Sequence, residues 1–191
     1  MVTEPRNVYL IGSMGSGKTT IGQKLARKLN LQFYDCDREI EERTGASVNL
    51  IFDIEGEAGF RKRETGMLEE LTAKTGVLVA TGGGAVLSGH NRDLLKNSGI
   101  VVYLQTSVKQ QLDRLRMDKT RPLLPANDRE AKLRQLAAAR NPLYEELADM
   151  VFPAHNRNVD SAVTQIYQAI TDFQRVSGQP PGNSGPTGQA C

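Results

Sequence analysis

The chain has 191 residues, 39% of them hydrophobic, with 24 basic and 22 acidic side chains and a formal net charge of +2. That length supports one sizeable core and leaves little for a second, and so even a charge balance points to neither a nucleic acid nor a membrane surface as partner. Two cysteines, Cys36 and Cys191, make no disulfide framework and fit a reducing cytoplasm; the opening run is too short and too soon broken for a signal peptide, and no stretch approaches the roughly 18 apolar residues of a spanning helix.

In chain order, short apolar runs rich in β-branched residues alternate with longer helical patterns, as expected of an α/β fold with a parallel sheet between helical layers. Strands are expected at Val8 to Ile11, Gln32 to Asp35, Val77 to Ala80, Ile100 to Gln105 and Met150 to Phe152. Helical apolar spacing runs over Lys18 to Leu29 through Ile21 and Leu25, and over Glu57 to Lys74 through Phe60, Met67, Leu68 and Leu71. Ser107 and Gln110 have capping-box spacing, which starts a further helix. Met117 to Arg129 is polar, carries two prolines and lies between two helical patterns, so it reads as a long exposed loop or lid. Residues 1–175 read as a single domain, and 176–191, dominated by Gly, Pro and small polar residues, as a disordered tail.

One segment carries explicit chemistry. Gly12-Ser13-Met14-Gly15-Ser16-Gly17-Lys18-Thr19 is a full G-x-x-x-x-G-K-[ST] match that follows an expected strand and opens an expected helix. Glycines let the backbone curl until its amides point at phosphate oxygens, and the helix adds its positive dipole end. Lys18 is expected on the β and γ phosphates of a nucleotide and the Thr19 hydroxyl on Mg²⁺.

The remaining acids narrow the class. The chain has no N-K-x-D segment to read guanine; Asp53-Ile54-Glu55-Gly56 matches D-x-x-G but follows a helical pattern. The apolar run Val77 to Ala80 ends in Thr81 and three glycines where a motor-type ATPase would carry an acid. Instead Asp35 and Asp37 follow the second strand, at the carboxyl edge where a parallel sheet opens its ligand crevice. If that strand continues, the two alternate in direction, leaving one for the metal and one for an acceptor; the plainer role for Asp37 is to cap a helix beginning at Arg38.

With those residues in place the chain resembles the shikimate kinases from about Asn7 to about Ile170. The matching elements are the loop through Thr19, Asp35-Cys36-Asp37, Phe60-Arg61 with Glu64, Gly82-Gly83-Gly84, Arg121-Pro122-Leu123-Leu124, and Arg140 ahead of Pro142-Leu143-Tyr144. Their order and spacing, more than any one of them, are specific. The resemblance implies a P-loop kinase fold of three layers with a five-stranded parallel sheet, ATP as co-substrate, shikimate as acceptor, phosphorylation at its 3-hydroxyl, and a monomer. It implies acceptor binding by Asp37, Arg61, Gly82, Gly83, Gly84 and Arg140, Mg²⁺ support from Asp35 through water, and a closing lid that carries Arg121. It also extends the nucleotide contacts to Thr20, to Arg114 against adenine, and to Arg157. Leu115, Met117 and Thr120 fall at variable positions near the lid.

A ring acid with hydroxyls needs cations at one end and an acceptor of hydrogen bonds at the other. Arg61 and Arg140 can pair a carboxylate through two parallel bonds, and Asp37 can take bonds, or the proton, from the attacking hydroxyl. The three glycines would let the backbone approach the acceptor. Plainer roles compete: a helical arginine is usually a solvated side chain, and three glycines can be an ordinary turn. Gluconate or nucleoside monophosphate kinases on the same scaffold, and a nucleotide-binding module without catalysis, remain as alternatives. His90 and His155 have loop-like surroundings and no zinc spacing, and Cys36 between two acids should disfavour its thiolate.

Overall fold

A computed structural model describes residues 6–115, 128–153 and 158–177. Five parallel strands form one sheet: β1 (Asn7–Ile11), β2 (Gln32–Asp35), β3 (Val77–Ala80), β4 (Gly99–Gln105) and β5 (Met150–Pro153), in the order β2-β3-β1-β4-β5. The expected strands are all present, with β1, β4 and β5 each longer by one residue at an end. Because parallel strands must be joined by crossovers, helices cover both faces. Side chains alternate accordingly. Tyr9, Ile11, Val79, Val101 and Tyr103 enter one core with Ile40, Phe60, Leu68, Leu95 and Tyr144, and Val8, Leu10, Leu78, Ile100, Val102 and Leu104 enter the other with Leu25, Ile166 and Ile170.

The helices are α1 (Lys18–Leu29), α2 (Cys36–Thr44), α3 (Val48–Thr72), α4 (Gly89–Ser98), α5 (Val108–Leu115), α6 (Arg129–Leu147) and α7 (Val159–Ser177), with a 3₁₀ turn at Ala85–Leu87. The capping box forms: the Gln110 amide donates to Ser107 Oγ at 3.2 Å and the Ser107 amide to Gln110 Oε1 at 3.0 Å. None of the described helices is long and apolar enough to cross a membrane.

Four local expectations are corrected. The helix expected at Glu57 to Lys74 is the second half of α3, which begins at Val48 and bends at Gly56, where φ 70° and ψ −178° suit glycine alone. The second strand ends at Asp35 and the chain turns helical at Cys36, so Asp35 and Asp37 do not alternate along a strand; Asp35, not Asp37, caps the helix, accepting from the Arg38 amide at 3.4 Å. His90 lies on α4, where its ring pairs with Glu69 at 2.8 Å. The poor helix formers around it hide that helix in the sequence, and burial of Leu95 outweighs them. Arg129 opens α6 instead of closing a loop. His155, Cys191 and residues 117–127 of the expected lid lie outside the described residues, as does the expected tail beyond Ser177.

Asn7 fastens the start of β1 from inside the protein. Its Nδ2 donates to the Lys74 carbonyl at 2.6 Å and to Tyr9 Oη at 3.2 Å, while its Oδ1 accepts from the Val77 amide at 3.1 Å. Asn7→Leu would leave two backbone groups without partners at the strand that carries the P-loop. It is expected to destabilise folding by about 2–4 kcal/mol, read as a lower urea midpoint at unchanged m-value.

Candidate active site

The carboxyl ends of β1, β2 and β3 open into one cleft of about 870 Å³. On one wall, Met14, Gly15, Gly17, Lys18, Thr19 and Thr20 line it, with Gly12, Ser13 and Ser16 buried behind them. Gly12 at φ 140° lies so near β4 that a Cβ would stand 2.6 Å from the Leu104 carbonyl oxygen. The loop therefore depends on glycine there for both space and backbone conformation. Lys18 Nζ reaches back across the loop, donating to the Gly12 carbonyl at 2.7 Å and the Ser13 carbonyl at 2.9 Å. An ammonium held over the cradle in this way is placed to meet phosphate oxygens. Arg114, on α5, closes the loop's other side by donating to the Gly15 carbonyl at 2.6 Å.

Next to the loop, Thr19 Oγ1 donates to Asp35 Oδ2 at 2.6 Å. A hydroxyl and a carboxylate together on the cleft wall form an all-oxygen donor pair, the chemistry that suits Mg²⁺. Among the described residues no cluster of three or more His, Cys, Asp or Glu could hold a metal alone. A cation at this pair would complete its shell with water and nucleotide oxygens.

The far wall carries Asp37 from α2, Arg61 and Glu64 from α3, Gly82 to Gly84 after β3, and Arg140 from α6. Arg61 is gripped by two acids: Nη1 donates to Glu64 at 2.7 Å, and Nε and Nη2 to Glu57 at 3.3 and 3.1 Å. Glu64 is fully buried, whereas the Glu57 side chain is 62% exposed. Burial pushes the Glu64 carboxyl up from its ordinary range, Arg61 opposes that, and the neighbouring Asp37 adds to it. Among the described residues, Glu64 Oε1 is buried without a hydrogen-bond partner, and so is Arg140 Nε. Two guanidinium groups and two carboxylates thus share one end of the cleft, which suits a ligand bearing an acid group together with hydroxyls.

The glycine turn serves the side chains packed on it. A Cβ at Gly82 would stand 2.3 Å from Glu64 Oε1 and 3.0 Å from Asp37 Oδ1, and one at Gly84 would stand 2.2 Å from Arg61 Nη2. At Gly82 and Gly84 the space a Cβ would take is therefore occupied by the protein's own charged groups. Cys36 is fully buried, and burial first, then Asp37 and Glu64, pushes its thiol well up, which disfavours the thiolate as expected.

Of the expected nucleotide, acceptor and metal residues, the described ones line this cleft or, at Gly12, Ser13 and Ser16, lie directly behind its wall. Arg121 and Arg157 lie outside the described residues. The motif carries Glu64 without a role and Glu57 lies outside it, although their spacing of three and four residues from Arg61 puts all three on one helical face.

Comparisons with known proteins come to the same place. The family model for shikimate kinase matches residues 14–171. A shikimate kinase of Haemophilus influenzae (strain PittEE) is 49% identical over 178 residues, covering 93% of this chain and 99% of its own. One from Actinobacillus succinogenes is 50% identical over 173 residues, covering 90% and 99%. The solved structure of a shikimate kinase from Acinetobacter baumannii in complex with shikimate superposes with a TM-score of 0.85 at 47% identity, over 88% of this chain and 94% of that one. The structure from Aquifex aeolicus gives 0.74 at 32% identity, over 91% and 99%.

Gly84→Ala would drive the Arg61 guanidinium out of its seat. It is expected to weaken binding of a carboxylate-bearing acceptor about 10–100-fold, the size of one charge-assisted bond. Titration calorimetry with MgADP should change less than about twofold, since that wall is untouched.

Proposed function

The chain belongs to the shikimate kinase family and is an ATP-dependent kinase of shikimate; we propose that it transfers the γ-phosphate to the 3-hydroxyl with the residues of this single cleft. The observation that carries the reading is the shared cavity, in which the phosphate cradle on one wall faces Asp37, Arg61 and Arg140 on the other. Phosphoryl transfer consists mostly of alignment and charge stabilisation, and a cleft of this kind supplies both.

In this reading Arg61 and Arg140 take the shikimate carboxylate. The Glu57 contact with Arg61 is exposed and so worth little, and an incoming carboxylate can replace it on the Nε and Nη2 edge. Glu64, buried at Nη1, stays and holds the guanidinium plane. Asp37 then accepts from the ring hydroxyls and takes the proton of the attacking one. The amides of the loop from Gly12 to Gly17, with Lys18, hold the phosphates, Thr20 and Arg114 extend the nucleotide contacts, and Lys18 stabilises charge on the transferred group.

Mg²⁺ fits the Thr19 and Asp35 oxygens, Thr19 as ligand and Asp35 through water; bound there, it would neutralise charge on the phosphate oxygens. Arg121 is assigned to charge stabilisation from a closing lid and Arg157 to the adenine side on their sequence context alone. A closed lid would keep water from competing as acceptor. The chain is taken to act as a monomer, because one protomer supplies every group the reading uses.

The test is ADP release from MgATP with shikimate, gluconate, AMP or no acceptor. Shikimate-dependent release is expected; turnover with gluconate or AMP instead would reassign Arg61, Arg140 and Asp37. Arg61→Ala is expected to lower kcat/KM for shikimate by about 2–4 kcal/mol of transition-state stabilisation with little change for ATP; an unchanged value would overturn the carboxylate assignment. Lys18→Ala should lower kcat itself, because its contact strengthens as charge moves.

A further inference from the structure

The glycine turn after β3 has three carbonyls to satisfy, and two are bonded within the turn's own backbone. Gly82 O accepts from the Ala85 amide at 3.1 Å and Gly84 O from the Leu87 amide at 3.0 Å. The middle one depends on a different element. Gly83 O accepts from the hydroxyl of Tyr144, which is fully buried one turn beyond Arg140 on α6. A peptide group is planar and trans, so a carbonyl held on one edge fixes the next residue's N–H on the other. The Tyr144 hydroxyl therefore sets the orientation of the Gly83–Gly84 peptide.

That peptide lies where the two halves of the cleft meet. A Cβ at Gly83 would stand 3.5 Å from the Met14 amide nitrogen, 3.6 Å from the Gly12 carbonyl oxygen and 3.7 Å from Arg140 Nη1. Tyr144 is itself braced, its ring stacked on Tyr103 with centroids 5.0 Å apart. Burial pushes its phenol far up, with Arg140 opposing in part.

We propose that Tyr144 is a positioning residue for phosphoryl transfer: by holding the Gly83–Gly84 peptide, its hydroxyl keeps an acceptor bound on the glycine turn in line with the P-loop. Tyr144 is not among the residues that line the cleft; its hydroxyl acts through the Gly83 carbonyl and through the Arg140 side chain, with which it also hydrogen-bonds. The inference rests on the functional reading above, together with the family resemblance that puts Gly82, Gly83 and Gly84 among the acceptor contacts.

Tyr144→Phe keeps the ring and its stack and removes the hydroxyl alone. Assayed well below each protein's Tm, it is expected to lower kcat with shikimate about tenfold or more, the scale on which a misplaced reacting group is felt. The KM for ATP should stay within about twofold. Tyr103→Phe removes the other hydroxyl of the same stack, which donates to Asn141 Oδ1 at 3.5 Å, and is expected to keep the wild-type kcat. A wild-type kcat in Tyr144→Phe would overturn the proposal. So would equal losses in both variants accompanied by equal falls in Tm, because the hydroxyls would then serve only the core. A wild-type chain that releases no ADP with shikimate would instead overturn the functional reading, and this inference with it; turnover in the wild type keeps the two failures apart.

Discussion

The cleft depends on one constraint, the common level at which three parallel strands end. Asp35 pairs with Ala80 and Ala80 with Leu10, so β2, β3 and β1 finish within a residue of one another. Right-handed crossovers place the connecting helices on the faces of the sheet and leave its carboxyl edge open. Three parts of the cleft then emerge side by side from that edge: the acid after β2, the glycine turn after β3 and the P-loop after β1. A slip of one residue in either pairing would turn the strand's core residues to the opposite face, and the cleft would be lost with the core.

On this frame the wall opposite the P-loop is organised by one buried ion pair. Glu64 is entirely removed from water, and a buried pair generally recovers in Coulomb attraction little more than desolvation removes. Its value here is orientation. With Nη1 fixed by Glu64, the planar guanidinium of Arg61 offers its remaining edge toward the cleft, and that edge is occupied by an acid on the protein's exposed rim. Strong inner and weak outer contacts on one side chain allow a ligand to exchange with the outer one while the geometry stays set. Gly82 and Gly84 make the arrangement possible by leaving no Cβ where the carboxylates and guanidinium lie.

The helices α3 and α6 reach the same wall from different points in the chain, and each brings more than one contact. Arg61 and Glu64 are three residues apart on α3, and Arg140 and Tyr144 four apart on α6, the spacings that put side chains on one helical face. The wall opposite the P-loop is therefore built from the faces of α3 and α6, Asp37 at the start of α2 and one glycine turn, and a shift of either long helix would move the groups it carries.

The strands, the P-loop and the capping box were legible in the sequence because each is decided by near neighbours. Short apolar runs rich in β-branched residues encode buried strands, the glycine spacing from Gly12 to Gly17 encodes a backbone curl, and Ser107 with Gln110 encodes a helix start. The family pattern added the order of the distant motifs, and with it the kind of chemistry. Tertiary structure alone decided the rest. Asp35 became the cap of α2 because the strand stopped there. The helix around His90 formed because Leu95 had a core to enter, and Gly82 and Gly84 proved to make room for Glu64, Asp37 and Arg61. The Tyr144 contact with Gly83 joins residues 61 positions apart. Local spacing carries no information about such a meeting, because the packing of α6 against β4 and the 3₁₀ turn that follows the glycines determines which side chain arrives there.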